Sequence, residues 1–259
     1  MAERKTAPTA SVAEFREVYE KVAREAGLDE GFLTPALESS LYGVYENLLD
    51  ASRRFNLTAI TDLEGVAEKH IVDSLIPVKL LSDGGYLKEG LKLLDIGAGA
   101  GFPTLPIGAA AEHGAVATLT VHAVDSTAKK IGHIKDTAVK LGLHGVTAEA
   151  ARAENLAFGR LRESFDIVTA RAVSALPVLV ELAAPFVKVG GIFAAMKGNS
   201  DEEVAAAARA AEILGFGAPE IIKYALPSGD TRSLVIYRKV RRTENKYPRQ
   251  YAKITAKPL

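Results

Sequence analysis

From Leu91 onward, short apolar runs alternate with longer amphipathic runs along the chain. The apolar runs predict seven strands, at 91–95, 118–124, 146–148, 165–170, 191–196, 220–224 and 233–238. The amphipathic runs predict helices at 105–112, 127–141, 176–188 and 201–214. Strands that alternate with helices form mostly parallel sheets with right-handed crossovers, so the pattern predicts an α/β fold. No helix separates the last two strands, and we therefore expect one of them to run antiparallel.

The N-terminal part of the chain has a helical pattern with three helix-start signals. Residues 11–14 have the spacing of a capping box, and residues 34–35 place a threonine N-cap before a proline. Residues 61–64 form a second capping box before a helix expected at 66–81. The segment 54–61 is too short and too mixed in composition to be a helix.

These patterns divide the chain into three parts. Residues 1–82 are predicted to be a helical extension, and residues 83–238 the α/β domain on which it packs. Residues 239–259 contain two prolines and few apolar side chains, so we expect this tail to be extended or partly disordered.

Several classes of protein are excluded by composition. Cysteine is absent from the 259 residues, which excludes a disulfide framework, a thiolate metal site and a cysteine nucleophile. No apolar run reaches the roughly 18 residues that a membrane helix needs. The polar residues 1–10 lack the apolar stretch of a signal peptide, so a cytoplasmic location is expected.

The charge of the chain is unevenly distributed, although 32 Lys+Arg balance 32 Asp+Glu. Residues 238–259 contain eight basic residues and one acidic residue, a net charge of +7, so residues 1–237 carry −7. Such a basic cluster is typical of a surface that binds RNA, and the pair Arg53 and Arg54 is a second basic cluster of this kind. For the tail, the alternative is a terminus that only increases solubility. If the tail binds RNA, deletion of 239–259 should weaken the salt dependence of binding and leave cofactor affinity unchanged.

The strongest motif is a glycine-rich turn after the first predicted strand, Leu94-Asp95-Ile96-Gly97-Ala98-Gly99-Ala100-Gly101-Phe102-Pro103. Glycine adopts positive φ and, without a Cβ, lets a ligand approach the backbone. In open α/β sheets, ligands bind at the carboxyl ends of the strands, near such a turn. The motif therefore predicts a cofactor site.

Three interpretations of this turn remain open. Dinucleotide-binding proteins have G-x-G-x-x-G, whereas here the third glycine comes one residue early and Phe102 follows it. Asp95 would repel a pyrophosphate but suits a cationic ligand, and acid-x-G-x-G-x-G resembles motif I of class I S-adenosylmethionine-dependent methyltransferases. Asp125, at the end of the second strand, can accept the ribose hydroxyls of either cofactor. The alternatives are a nicotinamide dinucleotide and a tight turn without a cofactor.

Other residues limit what a methyl acceptor can be. Methylation of pyrimidine C5 needs a cysteine, and the Asn/Asp-Pro-Pro-aromatic turn of amine methylation is replaced by Thr169-Ala170-Arg171-Ala172. Arg171 suits a phosphate, a carboxylate or the O6 and N7 of guanine, or else a structural ion pair. Lys197 is a candidate for contact with RNA phosphate or guanine O6, or is a solvated lysine. His70 and Asp73 have no third ligand at matching spacing, which predicts a packing role and no metal site.

Further motifs accompany the glycine-rich turn in a fixed order: Asn56-Leu57-Thr58-Ala59-Ile60, His70-x-x-Asp73-Ser74-Leu75, Thr169-Ala170-Arg171-Ala172, Met196-Lys197-Gly198, Arg232-Ser233-Leu234-Val235-Ile236, Lys246-Tyr247-Pro248-Arg249 and Lys257-Pro258-Leu259. Together they resemble the glucose-inhibited division protein B family, bacterial methyltransferases that act on a guanine N7 of small-subunit ribosomal RNA. The resemblance extends from about Glu46 to Leu259. It implies a Rossmann-like class I methyltransferase fold, with a mostly parallel seven-stranded sheet, flanking helices and an N-terminal helical extension.

The resemblance also implies how the cofactor, S-adenosyl-L-methionine, is bound. Gly97 and Phe102 would lie along its methionine and adenosine, and Asp125 would face the ribose. Arg171 would lie at the mouth of the site. The complete implied set of cofactor-binding residues is Asp95, Gly97, Gly99, Gly101, Phe102, Asp125, Ala153, Glu154 and Arg171, with Ala153 and Glu154 at the adenine. Many relatives have glycine after the proline of Phe102-Pro103-Thr104, a departure that we expect to affect local packing.

The function implied is methyl transfer to N7 of a guanosine in 16S ribosomal RNA, with Arg171 and Lys197 as positioning residues. Guanine N7 has a lone pair and no proton, so no general base is expected. The partner would be 16S ribosomal RNA or a small-subunit particle, bound by a monomer without a metal or a membrane. The candidate RNA-binding residues are Arg53, Arg54, Asn56, Lys197, Arg241, Arg242, Lys246 and Arg249. The alternatives are a methyltransferase of this fold with another RNA or a small molecule as acceptor, and a non-catalytic nucleotide-binding module.

Overall fold

The computed structural model describes residues 9–259, in which the predicted alternation forms one sheet of seven strands. The strands are β1 (Leu91–Ile96), β2 (Leu119–Asp125), β3 (Val146–Ala150), β4 (Phe165–Arg171), β5 (Val187–Lys197), β6 (Glu220–Ala225) and β7 (Thr231–Arg238). Each lies where an apolar run predicts it, although β5 begins at Val187 and not at Gly191. Residues 1–8, most of the polar N-terminal stretch considered above, lie outside the described residues.

The order of the strands leaves a crevice at the centre of the sheet. The order is β3-β2-β1-β4-β5-β7-β6, and only β7 is antiparallel to its neighbours, β5 and β6. The expected α/β fold with a mostly parallel sheet and one antiparallel strand is therefore confirmed. The chain extends from β1 to β3 on one side and then returns to β4 on the other. Ligands bind at the carboxyl ends of the strands where an α/β sheet reverses in this way.

Helices pack on both faces of the sheet, and further helices precede β1 and follow β7 in the chain. They are α1 (Val12–Glu25), α2 (Pro35–Arg54), α3 (Leu63–Val66), α4 (Asp73–Asp83), α5 (Thr104–Glu112), α6 (Ala128–Lys140), α7 (Ala153–Leu156), α8 (Leu176–Ala183), α9 (Asp201–Leu214) and α10 (Tyr251–Ala256). A π-helical segment, Ala67–Val72, joins α3 to α4. Within residues 9–259, no helix has the length and apolar character needed to cross a membrane.

The predicted helix starts are correct for α1 and α2 and are shifted for α3. The Ser11 capping box forms as expected, and Thr34 Oγ1 accepts a hydrogen bond from the Leu37 N–H at 3.4 Å. At α3 the cap is the Asp62 carboxylate, which accepts from the Gly65 N–H at 2.7 Å, and not Thr61. A charged carboxylate is the stronger acceptor for an unpaired N–H of the first turn.

Both faces of the sheet are covered by apolar cores, because successive strand residues point to opposite sides. Leu93 belongs to a core that includes Phe15 of α1 and Leu41 of α2. Its neighbour Leu94 belongs to a second core that includes residues of α8 and α9. The N-terminal helices thus share one core with the sheet. The division of the chain into an extension (1–82), a central domain (83–238) and a tail (239–259) stays a prediction.

The expectation of an extended or partly disordered tail is wrong. Residues 251–256 form α10, and Tyr247, Lys239 and Ile254 are buried. The apolar side chains of the tail are few, but Ile254 packs against α8. The buried Glu181 of α8 pairs with Arg249, with Nη2 and Oε2 separated by 2.6 Å. Deletion of residues 239–259 would therefore expose an apolar core and leave a buried carboxylate unpaired, so it does not isolate the RNA-binding contribution of the tail.

Candidate functional site

A cavity of about 220 Å³ opens at the carboxyl ends of β1, β2 and β3. It is lined by Ile96, Gly97, Val124, Asp125, Ser126, Ala151, Arg152, Ala153, Glu154, Val173, Leu182 and Tyr251. The lining includes four residues of the predicted cofactor-binding set: Gly97, Asp125, Ala153 and Glu154. The structure therefore brings together the ends of three strands that are well separated in the sequence, at the place expected for a ligand.

The glycine-rich turn needs glycine for its backbone conformation and for space. Gly97 has a φ of +73°, and a Cβ added there would lie 2.4 Å from Val173 Cγ2. Gly99 has a φ of +57° but space for a Cβ, whose closest neighbour would be the Gly97 carbonyl oxygen at 3.8 Å. Positive φ is costly for residues with a Cβ. Both constraints act at Gly97 and also at Gly101, which has a φ of +94° and where a Cβ would lie 2.5 Å from Leu105 Cδ1.

Asp125 connects the glycine-rich turn to the start of α6. Its Oδ2 accepts a hydrogen bond from the Gly99 N–H at 3.0 Å, and its Oδ1 accepts from the Thr127 N–H at 2.8 Å. The Gly99 N–H therefore points at a carboxylate and not at a phosphate. With Glu154 also in the lining, the cavity offers two acidic side chains, which suit hydroxyl groups and positive charge.

Asp95 lies beneath the turn and outside the cavity lining. Its side chain is buried, with Oδ2 accepting from Thr104 Oγ1 at 2.6 Å and Oδ1 from Thr169 Oγ1 at 3.3 Å. Burial raises its pKa to about 6, although these hydrogen bonds act in the opposite direction. The sequence predicts a direct cofactor contact for Asp95, and the structure corrects this to a supporting position, because both oxygens are enclosed by threonines.

Replacement of Asp95 by asparagine should change how thermal stability depends on pH. The folded pKa of about 6 lies above the ordinary 3.8, so between these values the native state retains a proton that the unfolded chain has lost. Stability of the wild type therefore falls as pH rises through this window. The Tm of Asp95→Asn minus that of the wild type should increase between about pH 4 and pH 6 and level off above pH 7. A constant difference would mean that Asp95 has an ordinary pKa.

Arg171, at the end of β4, is held in a buried ion-pair cluster. Its Nη1 lies 3.2 Å from Asp73 Oδ2 and 3.3 Å from the Lys69 carbonyl oxygen. Asp73 also pairs with Arg232 of β7, with Nε and Oδ1 separated by 3.1 Å. Burial lowers the pKa of Arg171, while the neighbouring Asp73 and Asp95 oppose this shift. Asp73 thus joins the N-terminal helices to two strands of the sheet and fixes the guanidinium of Arg171 at the crevice.

Phe102 and His70 form the apolar side of this cluster. The two rings stack with centroids 4.8 Å apart, and the Arg171 guanidinium lies 5.8 Å from the centroid of Phe102. Phe102 is buried and is not part of the cavity lining. The family resemblance instead implies that it lies along the cofactor. His70 Nε2 lies 2.8 Å from Thr58 Oγ1, and burial lowers the pKa of His70 to about 4. His70 is therefore neutral at physiological pH and packs the 56–60 loop against the glycine-rich turn, in agreement with the packing role expected.

Gly99, Gly101 and Lys197 do not lie where a direct contact with the cofactor or with RNA is predicted for them. Gly99 and Gly101 belong to the turn but not to the cavity lining. Lys197 Nζ lies 2.9 Å from Glu203 Oε2 and donates to the Ser174 carbonyl at 3.1 Å. Its amine therefore holds the segment after β4 to α9, and a contact with substrate would have to compete with Glu203.

The other predicted RNA-binding residues fall into two groups. Arg242 and Lys246 are exposed, with 83% and 62% of their side-chain surface accessible, despite ion pairs with Glu163 and Glu244. Arg53 and Arg54 are exposed at the end of α2, where Arg54 pairs with Asp50 at 2.7 Å. Asn56 follows in the loop before α3. Two others are bound internally: Arg249 by Glu181, and Arg241 by carbonyls at the end of α9. For Arg249 the structure replaces the predicted RNA contact with an internal ion pair, because a buried carboxylate needs this partner.

Sequence reasoning missed Tyr251, Leu182 and Arg152 as cavity residues and Arg232 as a partner of Asp73. Arg232 and Asp73 both occur in motifs of the family resemblance, which was the available signal. No local pattern singles out Tyr251 or Leu182.

Among residues 9–259, no group of three or more His, Asp or Glu side chains is arranged to hold a metal ion.

Comparisons with known proteins agree with this arrangement. The family model described as "GidB: rRNA small subunit methyltransferase G" matches residues 38–228. A ribosomal RNA small subunit methyltransferase G of Deinococcus radiodurans is 41% identical over 255 residues, which cover 97% of this chain and 96% of the relative. A protein of the same name from Streptococcus sanguinis is 38% identical, covering 94% of this chain and 99% of the relative.

Solved structures show the fold alone. The [4+2]-cyclase SpnF aligns with a TM-score of 0.52 and 16% identity, covering 80% of this chain and 97% of the other. A geranyl diphosphate methyltransferase in complex with SAM aligns with a TM-score of 0.50 and 14% identity, covering 71% of this chain and 92% of the other. The sheet order and these similarities establish a class I methyltransferase fold.

Proposed function

This chain belongs to the GidB family, rRNA small subunit methyltransferase G, and on that premise we propose that it transfers a methyl group from S-adenosyl-L-methionine to N7 of a guanosine in 16S ribosomal RNA. The observation that carries the proposal is the cavity beside the glycine-rich turn, with Asp125 and Glu154 in its lining and the partly buried Arg171 at the end of the neighbouring strand β4. Membership of the family supports methyltransferase activity and supports ribosomal RNA as the substrate. The guanine N7 rests on the resemblance and on the chemistry below.

The cavity residues fit S-adenosylmethionine better than a dinucleotide. Asp125 and Glu154 provide acidic groups for hydroxyls and positive charge, and Gly97 leaves the backbone open to a ligand. The Gly99 N–H donates to Asp125, so it is not available to a pyrophosphate. When bound, S-adenosylmethionine supplies a methyl group already activated by the positive charge on sulfur. Ala153 and Glu154, at the end of β3, are proposed to hold its adenine.

The acceptor chemistry needs positioning more than proton transfer. Guanine N7 has a free lone pair and loses no proton on methylation, unlike an exocyclic amine. His70 is neutral and stacked on Phe102, and Asp95 is enclosed by two threonines, so neither faces an acceptor as a base. Arg171, held by Asp73, offers a guanidinium near the crevice that can hold the acceptor. Well-oriented reactants can gain about 7–11 kcal/mol from such positioning alone.

Isothermal titration of the purified protein with S-adenosylhomocysteine and with NAD tests the cofactor. We expect saturable binding of S-adenosylhomocysteine and none of NAD. Binding of NAD alone would overturn the proposal.

Mass mapping of 16S ribosomal RNA from cells with and without the gene tests the acceptor, because loss of one methylated guanosine is expected. Loss of a methyl group from another RNA would instead indicate the same chemistry with a different substrate.

We propose that RNA contacts the exposed basic residues at the root of the tail and the end of α2. Each phosphate contact adds about 0.7 to the slope of log affinity against log salt for single strands. The double variant Arg242→Gln, Lys246→Gln should therefore reduce this slope by about 1.4. Calorimetry should give the variant an unchanged affinity for S-adenosylhomocysteine, because neither side chain lines the cavity.

Arg209→Gln is the matched control, since Arg209 is an exposed arginine on α9 and no part of the proposed surface. It should leave the slope unchanged. An unaltered slope in the double variant would remove these two residues from the RNA surface. The monomeric state and the cytoplasmic location remain predictions, for sedimentation and cell fractionation to test.

A further inference from the structure

One wall of the cavity comes from the C-terminal end of the chain. The other lining residues lie between positions 96 and 182, whereas Tyr251 is the first residue of α10. Tyr251 is partly exposed and packs against the cluster of Val178, Leu182 and Ile254, of which Leu182 also lines the cavity. The C-terminal helix is therefore adjacent to the proposed cofactor site, although its sequence gives no sign of this.

The surroundings of Tyr251 suit a planar aromatic group. The Arg152 guanidinium lies 5.7 Å from the centroid of the Tyr251 ring, and both side chains line the cavity. Arg152 directly precedes Ala153 and Glu154, at the end of β3. Aromatic rings bind other flat rings by stacking or by edge contacts, and guanidinium planes stack in the same way.

The position of Tyr251 in the fold indicates which end of a ligand it meets. In the sheet order, β3 is two strands from β1, and Arg171 is the last residue of β4, which lies on the opposite side of β1. A methyl group that is to be transferred must face the acceptor at the Arg171 side. The part of the cofactor that does not react then extends toward β3 and Tyr251, and the purine is its one flat aromatic part.

The helix that carries Tyr251 is firmly attached. Ile254 is fully buried against Val178 and Leu182 of α8. Two residues before α10, Arg249 makes hydrogen bonds to Glu181 through its backbone N–H at 2.9 Å and its Nε at 2.8 Å. A ring on such an anchored element is preorganised, so it loses little freedom when a ligand binds.

We propose that Tyr251 contacts the adenine of the bound cofactor, so that the C-terminal helix forms the purine-side wall of the site. This inference rests on the proposed function. Docking of the tail and binding of the cofactor would then be coupled, because α10 supplies this wall. Deletion of the tail should therefore lower cofactor affinity, contrary to the expectation from sequence.

The first test uses the absence of tryptophan from this chain. Tyr251→Trp introduces a sole indole at the cavity, and Lys253→Trp introduces one at an exposed position of the same helix. Titration with S-adenosylhomocysteine should change the emission of Tyr251→Trp, with a midpoint equal to the calorimetric Kd of that variant. The emission of Lys253→Trp should not change. Calorimetric binding by Tyr251→Trp without a change in emission would overturn the inference.

The second test separates ring contact from helix docking. Tyr251→Phe keeps the ring and should retain the wild-type affinity for S-adenosylhomocysteine, whereas Tyr251→Leu and Tyr251→Ala should weaken it about tenfold, the scale of one base–aromatic contact. Equal affinity in all four proteins would contradict a role for Tyr251 and leave the cofactor assignment intact. Failure of the wild type to bind S-adenosylhomocysteine would instead contradict the proposed function itself.

Discussion

Gly97→Ala is expected to weaken binding of S-adenosylhomocysteine by about two orders of magnitude, corresponding to about 2–3 kcal/mol. Two effects add at this position. A residue with a Cβ is strained at a φ of +73°, and the new methyl group would lie 2.4 Å from Val173 Cγ2. Both Gly97 and Val173 line the cavity, so relief of this contact must displace a wall of the site. Calorimetry on the purified variant measures the loss.

Gly99→Ala is the matched control for this substitution. Its φ of +57° lies in the left-handed region that residues other than glycine occasionally adopt, and its Cβ would have space. We expect it to lower the free energy of unfolding by about 1 kcal/mol, which is the strain of that backbone conformation without a steric clash. Circular dichroism should show that both variants are folded. If Gly97→Ala bound S-adenosylhomocysteine as tightly as Gly99→Ala, contact with Val173 would not limit the site.

Asp73→Ala should destabilise the protein by about 3–5 kcal/mol, the usual cost of breaking a buried ion pair by removing one partner. The substitution leaves Arg171 and Arg232 facing each other without the carboxylate that now lies within about 3.2 Å of both. The contact between α4 and two strands of the sheet would be lost with it. Urea denaturation should give a lower midpoint, and methyl transfer should fall because Arg171 is no longer held.

Asp230→Ala tests whether the effect belongs to the buried cluster. Asp230 also pairs with Arg232, with Nη2 and Oδ2 3.6 Å apart, but 45% of its side-chain surface is exposed. Exposed pairs contribute about 0–1 kcal/mol, so this variant should unfold close to the wild type. Similar losses in both variants would indicate that Asp73 is no more important than a surface carboxylate.

The sequence was informative where structure depends on neighbouring residues. The strands of the sheet follow from apolar runs, and the cap of α1 follows from Ser11 and Glu14, three residues apart. The position of the cavity also follows, because parallel strands place their carboxyl ends at one edge. The sequence pattern therefore predicts Gly97 and Asp125 at this edge, whereas Ala153 and Glu154 are predicted there only through the family resemblance.

The differences arise where distant residues meet. Arg249 appears as one charge of a basic tail until it is placed beside Glu181, 68 residues earlier in the chain. Asp95 has the position of a ligand-binding carboxylate until two threonines enclose it. Tyr251 lies at the cavity because Ile254 and Arg249 anchor the C-terminal segment to α8. In each case a long-range partner determines whether a polar or aromatic side chain faces a ligand, and no local pattern records that partner.

Transfer of a labelled methyl group to ribosomal RNA tests the central claim most directly. The purified protein would be incubated with methyl-tritiated S-adenosylmethionine and with small-subunit particles or 16S ribosomal RNA from cells that lack the gene. Methylation at N7 places a positive charge on the imidazole ring, so borohydride reduction and aniline treatment cleave the RNA at that nucleotide. We expect label in 16S ribosomal RNA and cleavage at a single guanosine. Labelled RNA that resists cleavage, or no label in 16S ribosomal RNA from either substrate, would contradict it.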